Sequence, residues 1–189
     1  MLLPFAEVRS GVRLLEIGAG SGLAALTAAR RGARVVATDR NPFALRRLRR
    51  IAAKEGLALD VVRTDLAGGL GRFDRVLANP PYLPTLPTQR DLDRWENLAV
   101  DGGPDGCRTF ARIVRSLPRH LDRSGEAFVV VSSLQDPDRI RRIRDRWLAR
   151  GGTCAVVDRR RGEGETLEVW RMTRAGPGRR VTPPVRRGR

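Results

Sequence analysis

The chain has 189 residues, 41% of them hydrophobic, which suffices for one sizeable core and predicts one domain. Its net charge of +16 favours contact with polyanions such as RNA, but it is weak evidence because Lys54 is the only lysine among 37 basic residues and reflects a strong arginine bias. No apolar run approaches the roughly 18 residues of a membrane span, and the first ten residues lack a signal-peptide pattern. The composition therefore predicts a cytoplasmic protein with no membrane contact.

Apolar β-rich runs alternate with helical patterns along most of the chain, which predicts an α/β fold with a parallel sheet wrapped by helices. Asn41 is the expected N-cap of the second helix. The fifth strand is a continuous apolar run of the buried kind. In chain order, strands are predicted at 12–18, 33–39, 57–65, 73–80 and 126–133, a closing antiparallel pair at 153–160 and 166–173, and helices at 22–32, 41–56, about 105–120 and 136–151. The inner face of the helix over 136–151 is predicted to contain Ile140, Ile143, Trp147 and Leu148.

Two segments lack these patterns. Residues 80–104 have little periodicity and many turn-forming residues, so they are predicted to form a functional loop. Residues 175–189 contain five arginines and no acidic residue, and they are predicted to be a disordered basic tail after a single domain over residues 1–174. The two cysteines, Cys107 and Cys154, are far apart and have no neighbouring histidine pair, so no metal site is predicted.

Glycines are concentrated between the first strand and the first helix, in LLEIGAGSG, where they allow a ligand to approach the backbone closely. A dinucleotide fingerprint, GxGxxG, would need a third glycine at position 23, which is a leucine. The spacing is ExGxGxG instead, and it resembles motif I of class I S-adenosylmethionine-dependent methyltransferases. The alternative is a tight strand-to-helix turn without a ligand.

Acidic residues end the next two strands, Asp39 in VVATD and Asp65 in RTD. In this topology a carboxylate after the second strand can accept ribose hydroxyls. The resemblance implies that Asp39 binds the ribose and Asp65 lies beside the adenine, with helix capping or loop solubility as the alternative roles. The residues implied for S-adenosyl-L-methionine binding are Glu16, Gly18, Ala19, Gly20, Gly22, Asp39, Arg40, Asp65, Leu66 and Asn79. The implied fold is a Rossmann-like, mostly parallel seven-stranded sheet with an antiparallel strand near the C-terminal end and helices on both faces.

The sequence NPPY, from Asn79 to Tyr82, follows the fourth predicted strand and is the strongest local signal in the chain. It resembles the signature of methyltransferases that modify a planar nitrogen, either the glutamine side-chain amide or the adenine amine. The lone pair of such a nitrogen is delocalised, so the site must orient it. The side-chain oxygen of Asn79 and the carbonyl of Pro80 can accept its two hydrogens, while Pro80 and Pro81 restrict the residues before them and Tyr82 can pack on the flat group. These four residues are the predicted catalytic residues.

Further stretches narrow the resemblance. WENLAVDGGPDGCRTF resembles the segment after NPPY in the HemK family of protein glutamine methyltransferases, and an ordinary turn before a helix is the alternative for its glycines. RHLDRSGEAFVVVSSLQ and TLEVWRM resemble the archaeal and eukaryotic branch, which methylates the Gly-Gly-Gln glutamine of a translation termination factor. The resemblance covers about residues 11–174 and also implies a small zinc-binding activating subunit at the edge of the third strand.

The beginning of the chain departs from that branch. Its members begin with a segment that contains Tyr-x-Pro and an acidic pair and that closes over the cofactor. Here only ten residues precede Gly11, so either the true start lies upstream or part of this lid is lost. In both cases cofactor affinity is the property affected.

The leading prediction is therefore N5-methylation of a glutamine in a peptide chain release factor. One alternative is an adenine N6-methyltransferase acting on RNA or DNA, which the shared NPPY and the basic surface favour. The 5% aromatic content and the lack of a separate recognition domain oppose it. Another alternative is a catalytically weak RNA- or ribosome-binding module, which the short start and basic tail favour and the intact Glu16, Asp39, Asn79 and Tyr82 oppose. The basic surface is expected to assist encounter with the target in a salt-sensitive way, and also to make nonspecific contact with RNA.

Overall fold

The computed structural model describes residues 1–85 and 93–174; the predicted basic tail lies outside the described residues. None of the helices in these ranges combines the length and the apolar content that a membrane span requires. A short 3-10 turn, Leu3–Phe5, precedes the first strand. The strands are β1 Arg13–Ile17, β2 Arg34–Asp39, β3 Leu59–Arg63, β4 Phe73–Ala78, β5 Leu121–Ser132, β6 Thr153–Arg161 and β7 Thr166–Thr173. The helices are α1 Leu23–Arg30, α2 Pro42–Glu55, α3 Arg94–Val100, α4 Arg108–His120 and α5 Pro137–Ala149.

The strands form one seven-stranded sheet in the order β3-β2-β1-β4-β5-β7-β6. The pairs β1–β2, β1–β4, β2–β3 and β4–β5 are parallel, whereas β7 is antiparallel to both β5 and β6. This arrangement confirms the predicted fold class. The strand order reverses between β1 and β4, and ligands of open α/β sheets bind at the carboxyl ends of strands beside such a reversal.

The sheet separates two layers of buried apolar side chains. Consecutive residues of β1 show this, since Leu14 packs with the α1 and α2 side and Leu15 with the α4 and α5 side. The continuous apolar run of β5 divides in the same way, with Phe128 on the first side and Val129 on the second. Alternate burial on both faces is expected for a parallel strand covered by helices, and it fixes the strand ends that carry the candidate site.

Helix α2 begins and ends where its sequence predicts. The Asn41 side chain accepts hydrogen bonds from the backbone N–H groups of Phe43 and Ala44, which confirms it as the N-cap. Gly56 follows the helix in a left-handed conformation, φ +61°, and its N–H bonds to the carbonyls of the last turn.

Three local predictions are wrong. The segment 80–104 is not all loop, because α3 lies within it and is started by Asp93, whose side chain accepts from Trp95 N and Glu96 N. Strand β5 begins five residues earlier than predicted, at Leu121, which pairs with Phe73 before the register shifts. On α5, Leu148 is 37% exposed and does not belong to the inner face.

Candidate active site

A large cavity, about 890 Å³ in volume, opens at the carboxyl ends of β1 to β4. Ligand pockets commonly measure about 300–1,000 Å³. Its wall includes most of the residues predicted for cofactor and catalysis: Glu16, Gly18, Ala19, Gly20, Asp39, Arg40, Asp65, Leu66, Asn79, Pro80 and Pro81. Gly22 and Tyr82 are predicted site residues that lie outside this wall. The structure thus brings residues from four strand ends to one space.

The glycine-rich turn leaves room for a ligand at two of its glycines. Gly18 and Gly20 have φ values of +71° and +50°, and a Cβ at either would meet no atom within 4 Å. Glycine is therefore required there by backbone conformation, with open space beside it. Gly22 differs, because a Cβ there would clash with the Leu48 side chain, so this glycine allows α1 and α2 to pack closely. The backbone N–H of Ala19 donates to the Thr38 carbonyl at 2.8 Å and ties the turn to β2.

Asp39 is fixed by the backbone on both sides of its carboxylate. Oδ2 accepts from Gly20 N and Oδ1 accepts from Asn41 N, each at 2.8 Å. A carboxylate offers about four acceptor positions, so two remain for a ligand. The fixed carboxylate therefore has the capacity to accept two hydroxyl groups, as the ribose prediction requires.

Glu16 is a buried carboxyl group in the cavity wall, only 8% exposed. Its Oε2 accepts from the backbone N–H of Ala25 at 2.7 Å, which satisfies one of the free donors in the first turn of α1. Burial raises the pKa of Glu16 to about 7, although the bond from Ala25 acts in the opposite direction. The group therefore titrates near neutral pH, and a cation bound in the cavity would favour its ionised form.

Asp65 does not stand alone at the end of β3. Its Oδ2 forms an ion pair with Nη2 of Arg112, on α4, at 2.6 Å, and both residues line the cavity. Sequence reasoning missed Arg112, because the pair joins residues 47 positions apart and no motif marks that arginine.

The NPPY segment begins where β4 ends. Asn79 is exposed and its side chain forms no hydrogen bond within residues 1–85 and 93–174, whereas Pro80 is buried. Both line the same cavity as the glycine-rich turn. The Asn79 amide is therefore available to a substrate while its backbone is held by the following proline.

The DGGPDG loop packs against NPPY and helps to hold it. Leu83 N donates to Val100 O at 3.1 Å, and Gly102 N donates to Leu83 O at 2.9 Å. Gly106 has a φ of +68°, and a Cβ there would clash with the carbonyl oxygen of Tyr82. These glycines permit a close approach of two backbone segments, so they do more than form a turn before α4.

A buried amide fixes the position of that loop. Gln135 is 2% exposed; its Nε2 donates to Gly106 O and its Oε1 accepts from Ser132 N, each at 2.9 Å. The segment after β5 thereby fixes the DGGPDG loop, which in turn packs against NPPY.

Tyr82, the last residue of NPPY, is half-buried. Its burial raises the pKa of the phenol, and the nearby Glu165 carboxylate raises it further.

A group of aromatic and arginine side chains adjoins the cavity, and Arg94 and Trp95 are its members in the cavity wall. Trp95, on α3, lines the cavity and meets Phe43 edge to face at 6.2 Å between ring centroids. The guanidinium carbon of Arg94 lies 4.9 Å from the centroid of the Trp95 ring, and that of Arg46 lies 5.9 Å from the centroid of the Phe43 ring. Both distances suit a cation–π contact. Phe43 is 59% exposed, and its contact with Trp95 had no signal in the sequence.

Known proteins that this chain resembles in sequence or fold are methyltransferases. The family model described as "Methyltransferase small domain" matches residues 1–95. A Methanocaldococcus jannaschii protein assigned as a protein N5-glutamine methyltransferase is 37% identical over 123 residues, covering 64% of this chain and 62% of that protein. The release factor glutamine methyltransferase of Geobacter sulfurreducens is 34% identical over 120 residues, covering 59% of this chain and 42% of the relative. The chain thus spans less than two thirds of the length of either relative.

A solved structure with the same fold is that of the E. cuniculi Mtq2-Trm112 complex, described as responsible for the methylation of the termination factor eRF1. It superposes with a TM-score of 0.66 at 24% identity, covering 88% of this chain and 87% of the other. A likeness at that identity establishes the shared architecture.

Proposed function

The chain belongs to the methyltransferase small domain family, and we propose that it is an S-adenosyl-L-methionine-dependent methyltransferase of a protein glutamine. The proposed acceptor is the side-chain amide nitrogen of the glutamine in the Gly-Gly-Gln segment of a translation termination factor, in the cytoplasm. The observation that carries this proposal is the position of Asn79 and Pro80. Both line the cavity that also contains the glycine-rich turn and Asp39.

The cofactor is proposed to occupy the ends of β1 to β3. Gly18 and Gly20 offer open backbone, Asp39 offers two acceptor positions, and Asp65 lies one strand further along the sheet. Glu16 lies in the wall of this cavity with a pKa of about 7, and a positively charged sulfonium ligand bound there would favour its carboxylate form. Bound S-adenosyl-L-methionine supplies an electrophilic methyl group on that sulfonium.

The residues of NPPY are proposed to orient the nitrogen that attacks this methyl group. The Asn79 Oδ1 and the Pro80 carbonyl accept the two N–H hydrogens, which leaves the lone-pair face directed at the methyl carbon. With S-adenosyl-L-methionine bound, Asn79 and Pro80 would hold the nitrogen while the methyl group passes from sulfur to it, and the proton that the nitrogen loses would go to solvent. Alignment of reacting atoms of this kind lowers a barrier by up to about 7–11 kcal/mol.

Glutamine is the favoured acceptor because it need not be unstacked to reach the site and because the described cavity wall offers little aromatic surface for a base. A glutamine on a Gly-Gly-Gln loop can reach Asn79 without any unstacking, whereas an adenine in a duplex must be flipped out at a cost of a few kcal/mol. The aromatic side chain in the described cavity wall is Trp95, which already packs on Phe43. Adenine N6-methylation remains the second candidate, because NPPY suits any planar amine.

A small zinc-binding activating subunit is proposed to cover the outer edge of β3. This strand is at the end of the sheet, and Leu59, Val61 and Val62 are half-buried there. Such an edge invites pairing with another chain. Arg49 protects one position, since its Nη2 donates to Val61 O at 2.7 Å. An isolated chain that is monodisperse, soluble and fully active would contradict the need for this subunit.

The basic surface is proposed to assist encounter in a salt-sensitive way without selecting the target.

The proposed function is tested by incubating purified protein and labelled S-adenosyl-L-methionine with a cell extract. Label that resists nuclease and is removed by protease supports the proposal. Label that shows the opposite pattern supports the adenine alternative instead.

A further inference from the structure

The turn after β3 contains a backbone conformation that leucine seldom adopts. Leu66 has a φ of +56°, and within the described ranges Glu7 is the only other non-glycine residue with a positive φ. Leu66 and the preceding Asp65 line the proposed cofactor cavity. Strained residues persist where surrounding contacts over-determine them, and such residues cluster at ligand sites.

The backbone of this turn is held from the side of the sheet. Thr38, fully buried near the end of β2, donates its hydroxyl to the Leu66 carbonyl at 2.6 Å. Gly68 N donates to the Asp65 carbonyl at 3.3 Å, and the Leu66 side chain packs against the core on the α4 side. The turn is therefore fixed without help from a ligand.

The Asp65 side chain of this turn is held by Arg112, a residue of α4. Nη2 of Arg112 lies 2.6 Å from Oδ2 of Asp65, and the neighbouring Ile113 and Val114 anchor the helix in the core. Oδ1 of Asp65 accepts no hydrogen bond within the part of the chain that the structure describes. One carboxylate oxygen is thus tethered, and the other is left as the acceptor that the turn presents.

We propose that Arg112 is a positioning residue that orients the Asp65 carboxylate to select a purine with an amino group at C6. The inference rests on the proposed use of S-adenosyl-L-methionine and adds a residue that discriminates its base. A carboxylate only accepts hydrogen bonds, so it pairs with a 6-amino group and is repelled by a 6-oxo group, which is itself an acceptor. Without the tether, the half-exposed Asp65 side chain would adopt other rotamers and hold the base less well.

The test uses the full chain and two probes that differ at purine C6, S-adenosylhomocysteine and S-inosylhomocysteine, titrated by calorimetry. Arg112→Gln should weaken S-adenosylhomocysteine binding about 3- to 10-fold, the loss of roughly one hydrogen bond, and should reduce the preference over the inosyl compound. Arg112→Lys should restore part of the affinity for S-adenosylhomocysteine and part of the preference over S-inosylhomocysteine. Arg115→Gln removes another exposed arginine from α4, one turn further along, and should leave affinity and preference unchanged.

A second variant keeps the inference testable if Arg112→Gln does not fold. Asp65→Asn has an amide that can donate to a 6-oxo group, so it should shift the preference toward S-inosylhomocysteine. The inference is overturned if either Arg112→Gln or Asp65→Asn keeps the wild-type preference, or if Arg112→Gln weakens both probes equally, which marks a merely structural role. If the wild-type chain binds neither probe, the proposed function fails together with the inference.

Discussion

The backbone N–H of Gly20 donates a hydrogen bond to Oδ2 of Asp39 at 2.8 Å. This bond joins the glycine-rich turn after β1 to the acidic residue that ends β2. The turn and the carboxylate therefore act as one preformed unit, and a change at Asp39 should affect both the ribose contacts and the position of the turn.

Replacing Asp39 with alanine should weaken S-adenosyl-L-methionine binding. Two ribose hydrogen bonds are lost, each worth roughly 0.5–1.5 kcal/mol and more when the acceptor is charged. Asp39→Asn retains one side-chain oxygen and should be intermediate. Calorimetric titration of the three proteins measures this order, and equal affinities would remove Asp39 from the cofactor site.

Asn79→Ala should abolish most turnover while leaving cofactor affinity nearly unchanged, because the amide is proposed to hold the acceptor nitrogen. Asn79→Asp keeps an oxygen acceptor but places a charge beside the sulfonium, so it separates hydrogen bonding from charge. Turnover and S-adenosylhomocysteine affinity are measured on each variant. A near-normal rate in Asn79→Ala contradicts the orientation mechanism.

Gly106→Ala should impair catalysis more than stability. The added methyl group would push against the Tyr82 carbonyl and displace NPPY, and a displacement of about 1 Å can cost about 100-fold in rate. Gly56→Ala is the matched control, since Gly56 has a similar φ of +61° with open space around it. Both variants should lose about 1–2 kcal/mol of stability from the left-handed backbone, and Gly106→Ala should lose more because of the clash, whereas a large loss of turnover is expected in Gly106→Ala alone. Similar turnover in the two would show that NPPY does not depend on this contact.

Glu16 should make stability depend on pH. Burial raises its pKa from 4.5 to about 7 in the folded chain, so the folded state binds the proton more tightly than the unfolded state. The free energy of unfolding contributed by this group therefore falls as pH rises from about 4.5 to about 7, by roughly 3 kcal/mol at most. It is constant outside that window.

Glu16→Gln provides the comparison, because the amide keeps an oxygen for Ala25 N and does not titrate. Urea unfolding at several pH values should show its stability rising relative to wild type between pH 4.5 and 7. Two parallel stability curves would mean that Glu16 is not buried as described.

The order of the main elements was predictable from sequence because apolar periodicity and capping residues agree along most of the chain. Asn41 and Gly56, for example, mark both ends of α2. Helix α3 was missed because it has only seven residues and no buried face. The early start of β5 was not predictable because residues 122–126 are mostly polar. The irregular pairing of Leu121 with Phe73 forms only when β4 and β5 come together in the folded chain.

The position of the cavity was predictable for similar reasons, because NPPY and the glycine-rich turn follow strands that any parallel sheet of this kind aligns. The contacts that support the site were not predictable from the sequence. Arg112 meets Asp65 and Gln135 meets Gly106 only after α4 and the end of β5 have packed, and neither pair has a local sequence signature. Packing at long range decides such contacts.

Mass spectrometry of a termination factor after reaction with this protein checks the claim that the methyl acceptor is a glutamine amide. One added methyl group is expected on the Gly-Gly-Gln glutamine. No added methyl group is expected when that glutamine is replaced by asparagine, which withdraws the nitrogen by about one methylene, or when the enzyme carries Asn79→Ala. An unmodified termination factor together with methyl label in adenine of RNA or DNA would contradict the claim.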